Sequence, residues 1–214
     1  NITLANIFEI LPFGNSLGVM DLKGSEIKSA LELSVKDAPA AFGGFLQVSG
    51  LRFTYDHTKA TGSRVQSVEV YKDGMFEELK DDENYQVATN IFTAKGGDGY
   101  TMFAKAYSEG RVSELGFVDW EVLQDYIKVQ KDQKIAPVLE GRIIDEAKTE
   151  VKASEFNGTA EDPKTHKGSI VVDITGVSSL ENAIITGNLH LKGTDADKVV
   201  LKNVTVLGNT YFID

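Results

Sequence analysis

The stretch Tyr85-Gln-Val-Ala-Thr-Asn-Ile-Phe92-Thr-Ala-Lys-Gly96-Gly97-Asp98-Gly99 decides how most of this chain is read. Tyr85 to Phe92 is predicted as a strand that runs straight into a glycine-rich loop. The loop is not a Walker A motif, because no Gly-Lys-Ser/Thr follows, and it is not Gly-x-Gly-x-x-Gly either. Alone it predicts a tight turn. Its context adds more: a strand ending in an aromatic, Phe92, feeds into it, and Asp98 on the loop can accept hydrogen bonds from hydroxyls.

Working outward, Val118-Asp119 opens a helix carrying Val122, Leu123, Tyr126 and Ile127, with Asp119 as the expected cap. Val138 to Ile144 is predicted as a closing strand. On the other side, Arg64–Tyr71 and Met75–Leu79 flank Lys72-Asp73-Gly74, a hairpin signal. Phe45 to Tyr55 is expected as a strand with a bulge at Ser49-Gly50. Ser25 is expected to cap a helix with Ile27, Ala30, Leu31 and Val35 on one face. Ile2 to Leu11 reads as a helix capped by Thr3 and stopped at Pro12. Phe13 follows in Leu11-Pro12-Phe13-Gly14-Asn15, where it can be a core residue or a stacking platform. Phe8, Phe45, Phe53, Phe76, Phe103 and Phe117 are expected as core aromatics.

Residues 1–145 therefore read as one mixed α/β (α+β) domain. Residues 146–168 mix Lys, Glu, Asp and Thr with Asn157-Gly158 and Asp162-Pro163, and are expected to be a linker holding one short strand. Residues 169–214 form a β-rich repeat tail. In it Asn182-Ala-Ile-Ile-Thr-Gly187-Asn188-Leu-His-Leu resembles Asn203-Val-Thr-Val-Leu-Gly208-Asn209-Thr-Tyr-Phe, 21 residues later. That period suggests two rungs of a β-solenoid, with a plain β-meander as the alternative. Two rungs are too few to stand alone, so the tail is expected to pack on the main domain or to continue.

Composition removes several classes. With 22 basic and 32 acidic residues the net charge is −10, which repels phosphate backbones and argues against a nucleic-acid polymer as partner. No apolar run approaches the roughly 18 residues of a membrane span. The absence of cysteine excludes disulfides, thiolate metal sites and a cysteine nucleophile. The chain starts Asn1-Ile2-Thr3, with neither Met nor a signal peptide, which suggests a processed or excised piece.

Catalytic constellations are not evident. His57, His166 and His190 are far apart, lack His-Glu-x-x-His spacing and read as solvated or structural. Asp195-Ala-Asp197 echoes a calcium loop but lacks its third ligand and central glycine. No Gly-x-Ser-x-Gly elbow occurs. Asn157-Gly-Thr159 and Asn203-Val-Thr205 match glycosylation acceptors and read as coincidences. No catalytic and no metal-ligating residue is therefore assigned.

A family resemblance carries the functional reading. Leu11-Pro12-Phe13-Gly14-Asn15, then Asp21-Leu22-Lys23-Gly24-Ser25 with Leu31-Glu32, resembles the C-terminal domain of 5′-nucleotidases. So do Gly44-Phe45-Leu46-Gln47-Val48-Ser49-Gly50-Leu51-Arg52 with Tyr55-Asp56, and Tyr85-Gln-Val-Ala-Thr-Asn90 followed by Phe92-Thr-Ala-Lys-Gly96-Gly97-Asp98-Gly99-Tyr100. Gly116-Phe117-Val118-Asp119 and Glu140-Gly141-Arg142-Ile143 complete the series, in family order. The wider group includes UDP-sugar hydrolases and 2′,3′-cyclic nucleotide phosphodiesterases. The latter tend to place Tyr at the stacking positions, so the Phe pair here resembles the 5′-nucleotidase branch.

The resemblance implies a substrate-binding domain that holds a nucleoside or nucleotide for an N-terminal metallophosphoesterase domain. That domain would carry a divalent metal pair and is absent from this chain, as is the phosphate-binding segment expected before Ile2. By the same resemblance Phe13 and Phe92 sandwich the base, Asn15 contacts the base, and Asp98 contacts the ribose hydroxyls from the loop that Gly96 and Gly97 shape. Every base has a π-face, so such a clamp tolerates purines and pyrimidines. Stacking is worth about 1–3 kcal/mol per base, and about −4 kcal/mol corresponds to a Kd of about 1 mM, so the chain alone is expected to bind weakly and not to turn over. A bacterial, extracellular or cell-surface setting is expected, with a role in nucleotide catabolism.

The alternative is a cell-surface structural or adhesion module in which the nucleotidase-like domain is vestigial. A self-sufficient enzyme is a third reading, which predicts hydrolysis by the purified chain. A decayed site would bury Phe13 and Phe92 in a core or leave them far apart. A working one leaves two parallel faces about 7 Å apart.

Overall fold

The computed structural model describes residues 2–136, 138 and 140–214. The chain begins with α1 (Leu4–Ile10), β1 (Ser16–Lys23) and α2 (Gly24–Ser34), followed by β2 (Leu51–Tyr55), β3 (Val65–Lys72), β4 (Met75–Glu78) and β5 (Asn84–Asn90). Next come α3 (Ile91–Ala94), α4 (Thr101–Ser108), β6 (Val112–Val118) and α5 (Asp119–Val129). The rest is β-rich: β7 (Ile143–Asp145), β8 (Lys148–Glu150), α6 (Ala153–Phe156), β9 (Lys164–His166) and β10 (Ser169–Asp173). It ends with β11 (Ser179–Ile185), β12 (Leu189–Lys192), β13 (Val200–Val206) and β14 (Thr210–Ile213). The fold is mixed α+β, as the sequence predicts. By its contacts the chain forms two compact units, Asn1–Ser34 with Lys80–Val138, and Val35–Leu79 with Leu139–Asp214.

In the first unit β1 is the centre of an antiparallel sheet of order β5-β1-β6. One face of β1 alternates into the interior, where Met20 and Leu22 are fully buried. Ile27, Ala30 and Leu31 of α2 and Phe103 and Ala106 of α4 are buried as well, and α2 packs on both α4 and β1. The periodic face expected for α2 is thus confirmed, although the helix starts at Gly24, one residue before Ser25. An Arg111–Glu26 ion pair of 2.7 Å ties the start of β6 to α2. The Arg111 hydrogen bond holds the Glu26 carboxyl below its ordinary pKa.

In the second unit, β2, β3, β4 and β7 form a sheet of order β4-β3-β2-β7. The expected hairpin is present, with Asp73 and Gly74 both at positive φ, 51° and 92°, as a two-residue turn between right-twisted strands requires. Three expectations are corrected. Only Leu51–Tyr55 of the expected Phe45–Tyr55 strand is a strand, and its bulge lies at Thr54/Tyr55. The closing strand is confined to Ile143–Asp145, pairing in parallel with β2, and Leu139 lies outside the described residues. Among the expected core aromatics Phe53 and Phe103 are buried, whereas Phe8, Phe76 and Phe117 are exposed. Phe76 instead packs edge-on against Tyr71 and lies under the Arg52 guanidinium, 4.3 Å from its carbon.

The tail is a β-solenoid-like stack. Two parallel sheets, β14-β12-β10-β8 and β13-β11-β9, run along it. A meander would require antiparallel neighbours; the pairs Ile170↔Leu189, Leu189↔Thr210 and Leu180↔Leu201 are all parallel. The Gly-Asn corners and a second pair of asparagines stack as ladders. Asn203 Nδ2 donates to Asn182 Oδ1 at 2.9 Å and the Asn209 amide donates to Asn188 Oδ1 at 2.8 Å, each across a 21-residue step. Asn182 and Asn203 both adopt the left-handed conformation, φ 54° and 50°, which asparagine tolerates better than most residues. Leu180, Ala183, Ile185, Leu189 and Leu191 face inward with Phe156, Ile170 and Val172.

The stretch 146–168, expected as a linker, holds β8, α6 and β9; β8 pairs in parallel with β10, and β9 with β11. It is the first rung of the stack, with Phe156 fully buried in the core. A terminal rung leaves one side to solvent and needs fewer apolar residues, so it carries no apolar period. Asn157, in one of the glycosylation-like sequences, accepts the Glu181 amide at 2.7 Å.

The histidines serve structure in the second unit. His57 Nδ1 lies 2.6 Å from the Asp145 carboxylate. His166 Nε2 bonds the Phe156 carbonyl at 2.9 Å. His190 stacks on Tyr211 at 5.0 Å.

Candidate functional site

Four segments meet at one end of the β5-β1-β6 sheet. The first is the turn after α1. Thr3 caps that helix: its hydroxyl accepts the Asn6 amide at 3.3 Å, while Asn6 Oδ1 accepts the Thr3 amide at 2.9 Å. The Leu11 amide closes the helix on Ile7 O at 2.9 Å, and Pro12 stops it. Gly14 then takes φ +59°, so the chain reverses into β1 and leaves Phe13 at the apex. Its ring is 84% exposed, which closes the alternative that Phe13 is a core residue.

The second segment is the end of β5. The register Leu17↔Asn90 sets the entry of β1 beside the exit of β5. The strand does not run on to Phe92 as the sequence suggests: it stops at Asn90, whose Oδ1 accepts the Thr93 amide at 2.8 Å and starts the one-turn α3. Ile91, Thr93 and Ala94 point into the interior, and Phe92, on the opposite side of that turn, is 52% exposed. Phe13 and Phe92 are thus two exposed phenylalanines at the same end of one sheet. Neither is paired with another aromatic ring among the described residues.

The third segment is the glycine loop. Gly97 lies against Phe92: a Cβ built on it would stand 2.3–2.5 Å from three atoms of the ring. Only glycine lets the ring rest there, well inside normal contact distance of about 3.5 Å. Gly96, at φ +95°, comes similarly close to Ala104. Asp98 occupies the left-handed region at φ 57° and is exposed. Among the described residues nothing hydrogen-bonds its carboxylate, which leaves it open to accept from hydroxyls. The loop is moored by Tyr100, which is buried and stacks on Phe103 at 5.2 Å. Burial pushes the Tyr100 hydroxyl up to about 12, so it remains a neutral anchor.

The fourth segment, the β6–α5 junction, is a participant that sequence reasoning missed. The pair Ser16↔Val118 brings it beside Asn15. Asp119 is the first residue of α5, not its cap; Val118 is the cap, its amide donating to Glu121 Oε2 at 3.4 Å. The Asp119 carboxylate accepts the Asn15 amide at 3.2 Å and the Trp120 amide at 2.7 Å. The Gly116-Phe117-Val118-Asp119 run could have signalled its importance, but not its partner 104 residues away. Asn15 is half-buried at the foot of the Phe13 turn. Among the described residues, no three His, Asp or Glu side chains are grouped to hold a metal ion.

Comparisons with known proteins bear on the family. The family model described as 5′-nucleotidase, C-terminal domain, matches residues 1–105. The trifunctional nucleotide phosphoesterase YfkN of Bacillus subtilis is 39% identical over 144 residues, which is 67% of this chain and 10% of that protein. A snake venom 5′-nucleotidase of Crotalus adamanteus is 36% identical over 159 residues, 72% of this chain and 26% of the venom protein. The crystal structure of a 5′-nucleotidase precursor from Thermus thermophilus superposes with a TM-score of 0.62 at 44% identity, covering 66% of this chain and 27% of that one. The chain therefore spans about a quarter or less of the length of these relatives. With the motifs in family order, the matching family model and the structural likeness together, the chain belongs to the 5′-nucleotidase family and carries its C-terminal domain.

Proposed function

We propose that this chain is the nucleoside- or nucleotide-binding part of a 5′-nucleotidase-type phosphohydrolase acting in nucleotide catabolism. In this reading the base lies between the rings of Phe13 and Phe92. Asn15 orients it, and Asp98, on the loop shaped by Gly96 and Gly97, accepts hydrogen bonds from the ribose hydroxyls. The observation that carries the reading is the pair of exposed phenylalanines at one sheet end, 84% and 52% exposed. Two rings left in water, with a glycine-seated loop next to one of them, are better accounted for as a stacking surface than as packing.

The partner in this reading is a metallophosphoesterase domain on the N-terminal side, where a divalent metal pair and the phosphate contacts would reside. Such metals supply Lewis acidity and an activated water. This chain contributes the grip on base and sugar, and by itself hydrolyses nothing. An extracellular or cell-surface location in a bacterium belongs to the same reading. It rests on the family resemblance and is tested by fractionating cells.

The direct test is titration of adenosine into the chain to several millimolar, followed by NMR, with Phe92→Ala as control. Ring-current shifts of the adenine protons that vanish in Phe92→Ala support the clamp. Unchanged adenine protons with folded wild-type chain overturn it. The solenoid-like stack then favours the second reading, a surface structural or adhesion module carrying a vestigial nucleotidase domain.

A further inference from the structure

We propose that Asp119 is a positioning residue of the nucleoside site: it fixes the Phe13-Gly14-Asn15 turn and so decides where the Phe13 ring and the Asn15 side chain stand. The proposal rests on the clamp reading above and adds a residue to it.

A ring that is 84% exposed receives almost no packing, so its position is set by the backbone that bears it. That backbone is a poor holder on its own. Gly14 in the left-handed region, at φ +59°, has among the described residues one atom within 4 Å of where a side chain would start, Val118 Cγ1 at 3.9 Å. Glycine has the widest conformational freedom of any residue. The turn therefore needs an external tie, and the β6–α5 junction supplies it at both backbone groups of one residue, Asn15. The Asn15 N–H donates to Asp119 Oδ2 at 3.2 Å, and the Asp119 N–H donates to the Asn15 carbonyl at 2.9 Å. The second carboxylate oxygen is also occupied, accepting the Trp120 N–H at 2.7 Å, which locks the side chain in the orientation that reaches Asn15. Trp120 in turn meets Phe8 of α1 edge-on, ring centroids 5.1 Å apart. The turn is thus bracketed, with α1 before it and the start of α5 beside it. A hydrogen bond to a carboxylate is the stronger, charge-assisted kind.

The substitutions separate the roles. Asp119→Ala removes both side-chain bonds and keeps the backbone one. Asp119→Asn has a single acceptor oxygen and keeps one of the two. Glu121→Ala removes the other carboxylate at the start of α5, which bonds Val118 and not the turn. Two readouts are used on each chain: hydrogen exchange of the Asn15 amide against that of Met20 in mid-β1, and the adenosine titration.

The expected result is an Asp119→Ala chain that melts as a folded protein, with Asn15 exchange accelerated and Met20 unchanged. Its adenosine Kd should be raised roughly tenfold, the scale of one lost charge-assisted bond that positions a group. Asp119→Asn should lie between this and wild type, and Glu121→Ala at wild type. An unchanged Asn15 amide in both Asp119 variants overturns the proposal without reference to any ligand. A freed turn with unchanged adenosine affinity overturns the positioning role alone. If wild type itself shows no adenosine shifts, the clamp reading fails, and with it any positioning role.

Discussion

Gly97→Ala tests the clamp at a single atom. The added methyl would lie 2.3 Å from the nearest atom of the Phe92 ring and 2.5 Å from two more. Carbon–carbon contacts settle near 3.5 Å, so the ring must retreat by about 1.2 Å or swing away. The backbone is no obstacle, since Gly97 lies outside the left-handed region, and the ring is half exposed and can yield toward solvent. Stability should therefore change by less than about 1 kcal/mol, as for a surface substitution. Stacking contributes about 1–3 kcal/mol per base, which is roughly 5- to 150-fold in affinity. A displaced ring keeps part of that, and the adenosine Kd should rise about tenfold, toward but not beyond that of Phe92→Ala. Circular dichroism melts and adenosine NMR titrations on wild type, Gly97→Ala and Phe92→Ala measure both quantities. If Gly97→Ala bound adenosine as wild type does while remaining folded, the ring's seat on Gly97 would not set the stacking surface.

Other expectations concern the solenoid-like stack. A Cβ at Gly187 would come within 2.5 Å of the Asp145 carbonyl and the backbone of Gly168 and Ser169. Backbone cannot step aside as a side chain can, so Gly187→Ala should cost about 2 kcal/mol or more, read as a lower denaturant midpoint; an unchanged midpoint would refute the close stacking. His190 is buried, and its Nδ1 has no hydrogen-bond partner among the described residues; burial first, and the Lys148 charge second, lower its pKa below the ordinary histidine value. The folded state thus resists a proton that the unfolded chain takes up near pH 6.5. Stability from this residue is full above that pH and is lost as pH falls through it, so the melting temperature of wild type should drop more steeply from pH 7.5 to 5.5 than that of His190→Phe. Equal slopes would sink this assignment.

What could be read locally was read from turn and cap chemistry. Thr3 and Pro12 bound α1 as expected, because a hydroxyl cap and a missing amide act within one turn of helix. Asp73-Gly74 made its hairpin because both residues reach positive φ. The Gly-Asn corners 21 residues apart marked the stacked rungs, since asparagines in ladders must recur in register. Of the candidate site, the family motifs singled out the residues proposed for it, and the exposure of both rings was not legible in them.

What pairs with what across the chain required the tertiary structure. Strand ends are set by where partners stop, so β5 ends at Asn90 and β2 begins only at Leu51. The first rung hides in 146–168 because Phe156 is the one large apolar side chain it fully buries in that core, with Val151 and Ala153 only partly buried beside it, and so few inward residues announce no periodicity. Residues 35–79 join 139–214 in one unit although 1–145 is continuous in sequence. Asp119 reached Asn15 for the same reason: a hydrogen bond spanning 104 residues leaves no trace in local pattern. Composition, caps, turns and period are properties of neighbouring residues, and the sequence states them directly. Register, burial and the meeting of distant segments are outcomes of packing, and they decide whether Phe13 and Phe92 face water together.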